Sequence, residues 1–235
     1  MDSRPFPRER ELSEDEGGNR TGGLENSEIE KQLELARKGD PGAVGVLLEG
    51  HRDRLRRLVV LRLDRRLRGR VDENDVLQDA FLEAIDRIYE YLRRPTMPFY
   101  LWIRFITCQQ LQKLCREHLG AQRRDVRRET PLAQPAYTEA TSEVLAAQLL
   151  GKLTTPSQAL MRSERQAWLR EALESMEMLD REVIALRHFE QLGPSETAQV
   201  LGIKRPAASK RYIRAIKRLK EILTSVADTS EFLWP

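Results

Sequence analysis

The chain has 235 residues, 40% of them hydrophobic, 33% charged and 6% aromatic, with a net charge of +3. That balance suits a charge-rich helical protein. It argues against a large β-sandwich, and no apolar run nears the roughly 20 residues that a bilayer crossing needs. The first 30 residues hold nine acids and four bases, so the rest of the chain carries +8. Such a split points to an acidic tail on a body that binds a polyanion.

Residues 1–26 are polar, with Gly17-Gly18, Gly22-Gly23 and two early prolines, and are expected to be a disordered tail. MDSRPFPRERELSEDEGG contains no apolar stretch of the kind that a secretory signal needs, so the expected compartment is the cytoplasm. From 27 to 120 the pattern is helical. Ser27 with Glu30 reads as a capping box ahead of Leu33, Leu35 and Ala36. Gly39-Asp40-Pro41 breaks the chain and starts a second helix, which leads into the basic segment LRRLVVLRLDRRLRGR. Asp72 caps a third helix through about Tyr91, with Val76, Leu77, Ala80, Phe81, Ala84, Ile85 and Ile88 at helical period. After LRRPTMP, the spacing of Trp102, Ile103, Phe105, Ile106, Leu111, Leu114 and Cys115 predicts a fourth helix to about His118. Cys108 and Cys115 then stand about 10 Å apart along one helix, too far for a disulfide.

Residues 121–158 read as a linker, with AQRRDVRRE, then Pro131, Pro135 and Pro156, and a short helix near 142–150. Apolar periodicity returns over 159–224, and 225–235 is a tail. No stretch reads as a strand. The expected fold is all-α: two small helical domains joined by a flexible linker.

The sharpest signal lies near the C-terminus, in QLGPSETAQVLGIKRPAASKRYIRAIKRLKEIL. Gly193-Pro194 suits a helix start. Gly202 stands where a helix end often needs positive φ. Ala208, Tyr212, Ala215, Leu219 and Ile222 form one stripe, while Ser209, Lys210, Ile213, Arg214 and Lys217 face away. This is helix-turn-helix spacing, whose second helix enters the DNA major groove. No acid occurs between Glu196 and Glu221. A solvated helix face usually mixes charge signs, whereas a helix between two rows of phosphates gains from Lys and Arg alone.

With the helix RREVIALRHFEQL before it, this unit resembles region 4 of bacterial RNA polymerase sigma factors. The N-terminal half agrees. GDPGAVGVLLEGHRDRLRRL, VDENDVLQDAFLEAIDRI and PFYLWIRFITCQQLQKLCREHL resemble region 2 of the extracytoplasmic-function (ECF) sigma factors, and the last two resemble their regions 2.2 and 2.3–2.4. The resemblance covers roughly 28–120 and 160–224. It implies a non-enzymatic initiation factor that brings core RNA polymerase to promoter DNA. Its implied polymerase contacts are the β′ coiled coil and the β flap, and an anti-sigma factor is a further partner commonly found in the family.

Laid over this chain, the resemblance assigns Asp75, Gln78, Asp79 and Glu83 to polymerase docking. It assigns melting and reading of the minus-ten element to Tyr100, Trp102, Arg104, Gln109, Gln112, Lys113 and Arg116, a mixture of base-stacking and phosphate-holding side chains. Of the aromatics, Phe99 and Trp102 suit a core and Tyr100 suits an exposed position. Lys204, Arg205, Ser209, Lys210, Arg211, Arg214, Lys217 and Arg218 fall to the minus-thirty-five element. Ser209, Lys210 and Arg211 would read bases there, and Arg214, Lys217 and Arg218 would anchor on phosphate. Gln109 and Lys204 depart from the family, which more often has Asn and Ser at those positions.

Two other classes compete. A recombinase would need a catalytic α/β domain, and residues 1–120 show neither strands nor a catalytic constellation. A simple helix-turn-helix regulator would need a sensor or dimerisation domain in their place. His51, His118 and His188 are scattered, so no metal, cofactor or small-molecule substrate is expected.

Overall fold

The computed structural model describes residues 24–67, 69–119, 142–153 and 162–231, and the elements among them are helices joined by short turns. The N-terminal unit comprises α1 (Asn26–Arg37), α2 (Pro41–Arg62), α3 (Glu73–Arg93) and α4 (Phe99–Leu119). The C-terminal unit comprises α5 (Ser142–Leu153), α6 (Arg162–Glu174), α7 (Met178–Ile184), α8 (Pro194–Leu201) and α9 (Arg205–Glu231). Residues 1–23 of the expected 1–26 tail and most of the expected 121–158 linker lie outside the described residues.

The helix starts follow local chemistry. The Asp40 carboxylate accepts from the Gly42 N–H at 2.8 Å, and Asp72 accepts from the Asn74 N–H at 2.8 Å. Each satisfies a donor that the first turn leaves without a carbonyl partner. The capping box expected at Ser27 is absent, because α1 begins two residues earlier, after Glu25, with no side-chain cap.

Two apolar clusters result. Leu47, Leu55, Leu58, Leu77, Ile103, Ile106 and Leu111 centre the first. Leu145, Leu173, Val183, Ile184, Ala185 and Ala215 centre the second. Linker composition did not prevent 142–153 from joining a core: α5 packs on α6 and buries Val144, Leu145 and Ala146. Likewise the tail expected from 225 is, up to Glu231, part of α9. Arg181 ties α6 to α7 by donating through Nη1 to the carbonyls of Leu173, Glu174 and Met176, oxygens that the end of α6 leaves unpaired.

Both expected helical units are present. The units are packed together, and their cores interlock. Leu61 of α2 belongs to the second cluster, while Leu186, Leu192 and Val200 belong to the first. At this seam α7 runs into a π turn, Ala185–Phe189, followed by Gln191 at φ 58. A left-handed non-glycine residue is costly and persists only where its surroundings hold it. Here they do: the Gln191 carbonyl accepts from Arg54 and its side-chain oxygen from Arg57.

The turn between α8 and α9 relies on Gly202, at φ 65, whose N–H closes onto the Gln199 carbonyl. A Cβ there would meet nothing within 4 Å, so only the backbone conformation opposes a side chain. Gly202→Ala should therefore lower stability by about 1 kcal/mol, measured by urea denaturation, with no loss of helix content.

Candidate nucleic-acid and partner interfaces

The α8–turn–α9 segment forms the expected helix-turn-helix. Glu196 accepts from the Gly193 N–H at 2.8 Å, which fixes the start of α8. Ala208 is buried, Ala215 and Leu219 are buried in the second core, and Tyr212 and Ile222 pack against it. The opposite face of α9 exposes Lys210, Ile213, Arg214 and Lys217, with Lys204, Arg205 and Arg218 exposed beside it. Ser209 is half-buried. Ile213, 62% exposed, puts an apolar side chain among the cations. Such a group suits the methyl of a thymine in the major groove.

Arg211 is the exception on this helix. Its Nη1 donates to Asp180 at 2.8 Å and Glu177 at 3.2 Å, both at the start of α7. The side chain braces α9 against α7 instead of pointing outward, which corrects its expected part in reading bases. Arg211→Ala should weaken binding of the protein to every DNA sequence by a similar factor. Lys210→Ala should change the order of sequence preference. Binding titrations against promoter variants at fixed salt separate the two outcomes.

On α3, Asp75, Gln78, Asp79, Leu82, Ile85, Asp86 and Tyr89 occupy one face at helical spacing, and all are exposed. Glu83 lies at the edge of that face, 3.5 Å from Arg87. Ile85, one of the apolar positions at helical period, is 47% exposed; Leu82 is 56% and Tyr89 69% exposed. The face therefore has an acidic N-terminal part and an apolar C-terminal part. Periodicity alone missed the apolar part because it assigns each apolar residue to the core.

The expected minus-ten residues divide sharply. Lys113 and Arg116 are exposed and Gln112 is half-buried. Gln109 is also half-buried, its oxygen accepting from Arg87 at 3.2 Å. Tyr100, Trp102 and Arg104 are buried, at 4%, 8% and 4% exposure. Trp102 stacks on Tyr91 at 4.7 Å between centroids. Tyr100, expected outside, lies beneath the Arg54 guanidinium, 3.6 Å from its ring centroid, and its hydroxyl has no hydrogen-bond partner among the described residues.

Arg104 is covered by the C-terminal unit. Arg104 Nε donates to Glu190 Oε2 at 2.7 Å. Arg62 Nε donates to Glu190 Oε1 at 2.7 Å and its Nη2 to Glu182 at 2.5 Å, with a further short contact from Nη2 to Glu190. The Arg62 and Glu190 side chains are wholly buried. Burial pushes the Glu190 carboxyl up, but Arg104 and Arg62 outweigh it and hold it down at about 2. At the rim, Arg54 donates to the carbonyls of Glu190 and Gln191 and to the Glu196 carboxylate.

This cluster escaped the sequence reading. Its one trace is a single charge set in an apolar run, Arg62 in LVVLRL; Glu190, in LRHFEQL, stands among other polar residues. Among the described residues no group of three or more His, Cys, Asp or Glu is placed to hold a metal ion. No helix among them is long and apolar enough to cross a membrane.

Residues 166–219, from within α6 to within α9, match the family model described as sigma-70, region 4. No curated protein matches the chain. Among solved structures the chain is similar to CnrH in its complex with the cytosolic domain of CnrY. That likeness has 22% identity and a TM-score of 0.49, and it covers 84% of this chain and 98% of the other.

Proposed function

We propose, from the premise that residues 166–219 are a sigma-70 region 4 domain, that this chain is a sigma factor of the ECF type. It binds core RNA polymerase in the cytoplasm and directs it to promoters. The observation that carries this reading is the helix-turn-helix. Its second helix presents Lys210, Arg214 and Lys217 outward and is held from behind by a buried apolar stripe. Region 4 contributes this helix to the minus-thirty-five element. The region 2-like helices contribute α4 to the minus-ten element.

In the polymerase complex, the exposed face of α3 docks on the β′ coiled coil, with Asp75, Gln78 and Asp79 beside the apolar ridge of Leu82, Ile85 and Tyr89. The β flap is the expected contact of the C-terminal unit. Nothing in this mechanism is catalytic: a sigma factor positions the enzyme and the DNA, and the polymerase performs the chemistry. The protein is also expected to meet an anti-sigma factor.

The test is binding of the purified chain to core polymerase without DNA. A sigma factor binds core alone. A recombinase or simple regulator that uses its helix-turn-helix only for targeting does not.

A further inference from the structure

Resting on that reading, we infer that the turn between α2 and α3 is a further DNA contact. Arg66 and Arg70 of the turn, beside Lys113 and Arg116 of α4, hold backbone phosphates of the duplex just upstream of the minus-ten element. The turn is basic and its backbone is fixed. Residues 65–70, RRLRGR, hold four arginines, and no acid occurs between Asp64 and Asp72. Leu63 and Leu67 are buried in the first core, and one turn of 3-10 helix spans Arg65–Leu67. The Leu67 carbonyl accepts from the Arg70 N–H at 3.0 Å and the Val71 N–H at 3.1 Å, and Gly69 takes φ 80. This backbone turns Arg66 and Arg70 outward, where both are exposed. Asp64 steadies Arg66, accepting from its backbone N–H at 2.9 Å and from its Nη2 at 2.8 Å. A loop preset in this way loses little backbone freedom on binding, so its cations can hold a ligand at low entropic cost.

The surroundings of the turn point to the same ligand. Leu63, Leu67 and Val71 share the first core with Leu114 and Cys115 of α4, and Asp64 and Arg66 act electrostatically on the Cys115 thiol. The turn therefore rests against the C-terminal end of α4, where Lys113 and Arg116 are exposed. The one acid in α4 is Glu117, and Arg70, Lys113 and Arg116 have no ion-pair partner among the described residues. Cations gathered without partners repel one another, and they gain when phosphates displace the condensed counterions of DNA. The major groove admits a helix or a two-stranded ribbon. A turn tacked to the core by Leu63 and Leu67 is neither, so its contacts are with the backbone, which position the protein and carry no sequence information. Chain order sets the direction. Beyond α4 the chain leads to the C-terminal unit, which takes the upstream element, so the end of α4 that carries the turn faces upstream.

The experiment uses the full chain bound to core RNA polymerase, with promoter duplexes selected from a randomised library. Arg66→Ala combined with Arg70→Ala should weaken binding by about tenfold at roughly 0.1 M salt, equally on every promoter, and make the salt slope shallower by about two. Both side chains are exposed, so helix content by circular dichroism should not change. Methylphosphonate linkages, which lack the phosphate charge, are then placed one at a time through the spacer. Linkages next to the minus-ten element should weaken the wild-type complex and leave the double variant unaffected. Arg93→Ala should match wild type, because this exposed arginine lies at the far end of α3, about 30 Å from the turn. Spacer linkages that weaken the wild type and the double variant alike would overturn the DNA contact. So would a double variant that loses only its affinity for core polymerase without DNA, since the turn would then meet the enzyme. Failure of the wild-type chain to bind core polymerase would overturn the sigma-factor reading, and the same linkages in duplex bound by the free chain would then decide the turn.

Discussion

Replacing Glu190 by leucine should destabilise the free protein by about 3–5 kcal/mol, the usual cost of removing one partner from a buried ion pair. The carboxylate accepts from both Arg62 and Arg104. Its loss leaves Arg62 with Glu182 and strands Arg104 in a site where it is 4% exposed. Replacing all four central charges by apolar residues of similar volume should be far milder, neutral or stabilising, because no charge then remains buried. Denaturant titration of the single and quadruple variants measures both effects.

The same residue sets part of the acid response. The folded carboxyl is held at about 2, against 4.5 for the free group. Its contribution is therefore complete above about pH 4.5 and is lost as pH falls towards 2. His51 acts earlier. Burial, with Arg54 nearby, pushes its imidazole down from 6.5 to about 4. The unfolded chain takes up that proton first, so stability should fall between pH 6.5 and 4. His51→Phe, in a ring cluster with Phe99 and Tyr100, should flatten the first interval and leave the second.

The second large effect is expected on the face of α3. Leu82→Ala together with Tyr89→Ala should weaken core polymerase binding by at least thirtyfold, the scale of an interface hot spot of about 2 kcal/mol. Thermal stability should hold, because both side chains are mostly exposed in the free protein. Charge reversal at Asp79 and Glu83 should act in the same direction but more weakly and in a salt-dependent way, as expected of charges at an interface rim. Unchanged affinity in the double alanine variant, with a lowered melting temperature, would make this face structural.

The parts of the fold that local chemistry dictates could be read directly from the residues. The caps at Asp40 and Asp72, the Gly202 turn and the stripe through Ala208, Ala215 and Leu219 each depend on neighbours within a few positions, and each is where the spacing put it. What failed was information carried between distant segments. Arg104 suited phosphate binding until Glu190, 86 positions away, was placed beside it. Arg211 looked like a base reader because α7's acids, more than 30 positions upstream, cannot be placed against it by periodicity. Tyr100 and Ile85 depart from the pattern in opposite directions. An amphipathic pattern tells which face of a helix is apolar, not whether a second unit covers the polar face or leaves part of the apolar one bare. The linker composition at 142–153 misled for the same reason: Val144, Leu145 and Ala146 are buried by α6 and the second core, not by anything local.

The most direct test of the central claim is promoter-directed initiation in a purified system. Core RNA polymerase would be supplied with the full chain and a template library randomised around the minus-ten and minus-thirty-five positions. Transcripts should start from a small set of templates that share both elements, and only when the chain is present. The set should change with Lys210→Ala but not with Arg211→Ala. Contradiction would take a specific form: sequence-selective binding of the chain to DNA with no affinity for core polymerase and no transcript above the level of core alone.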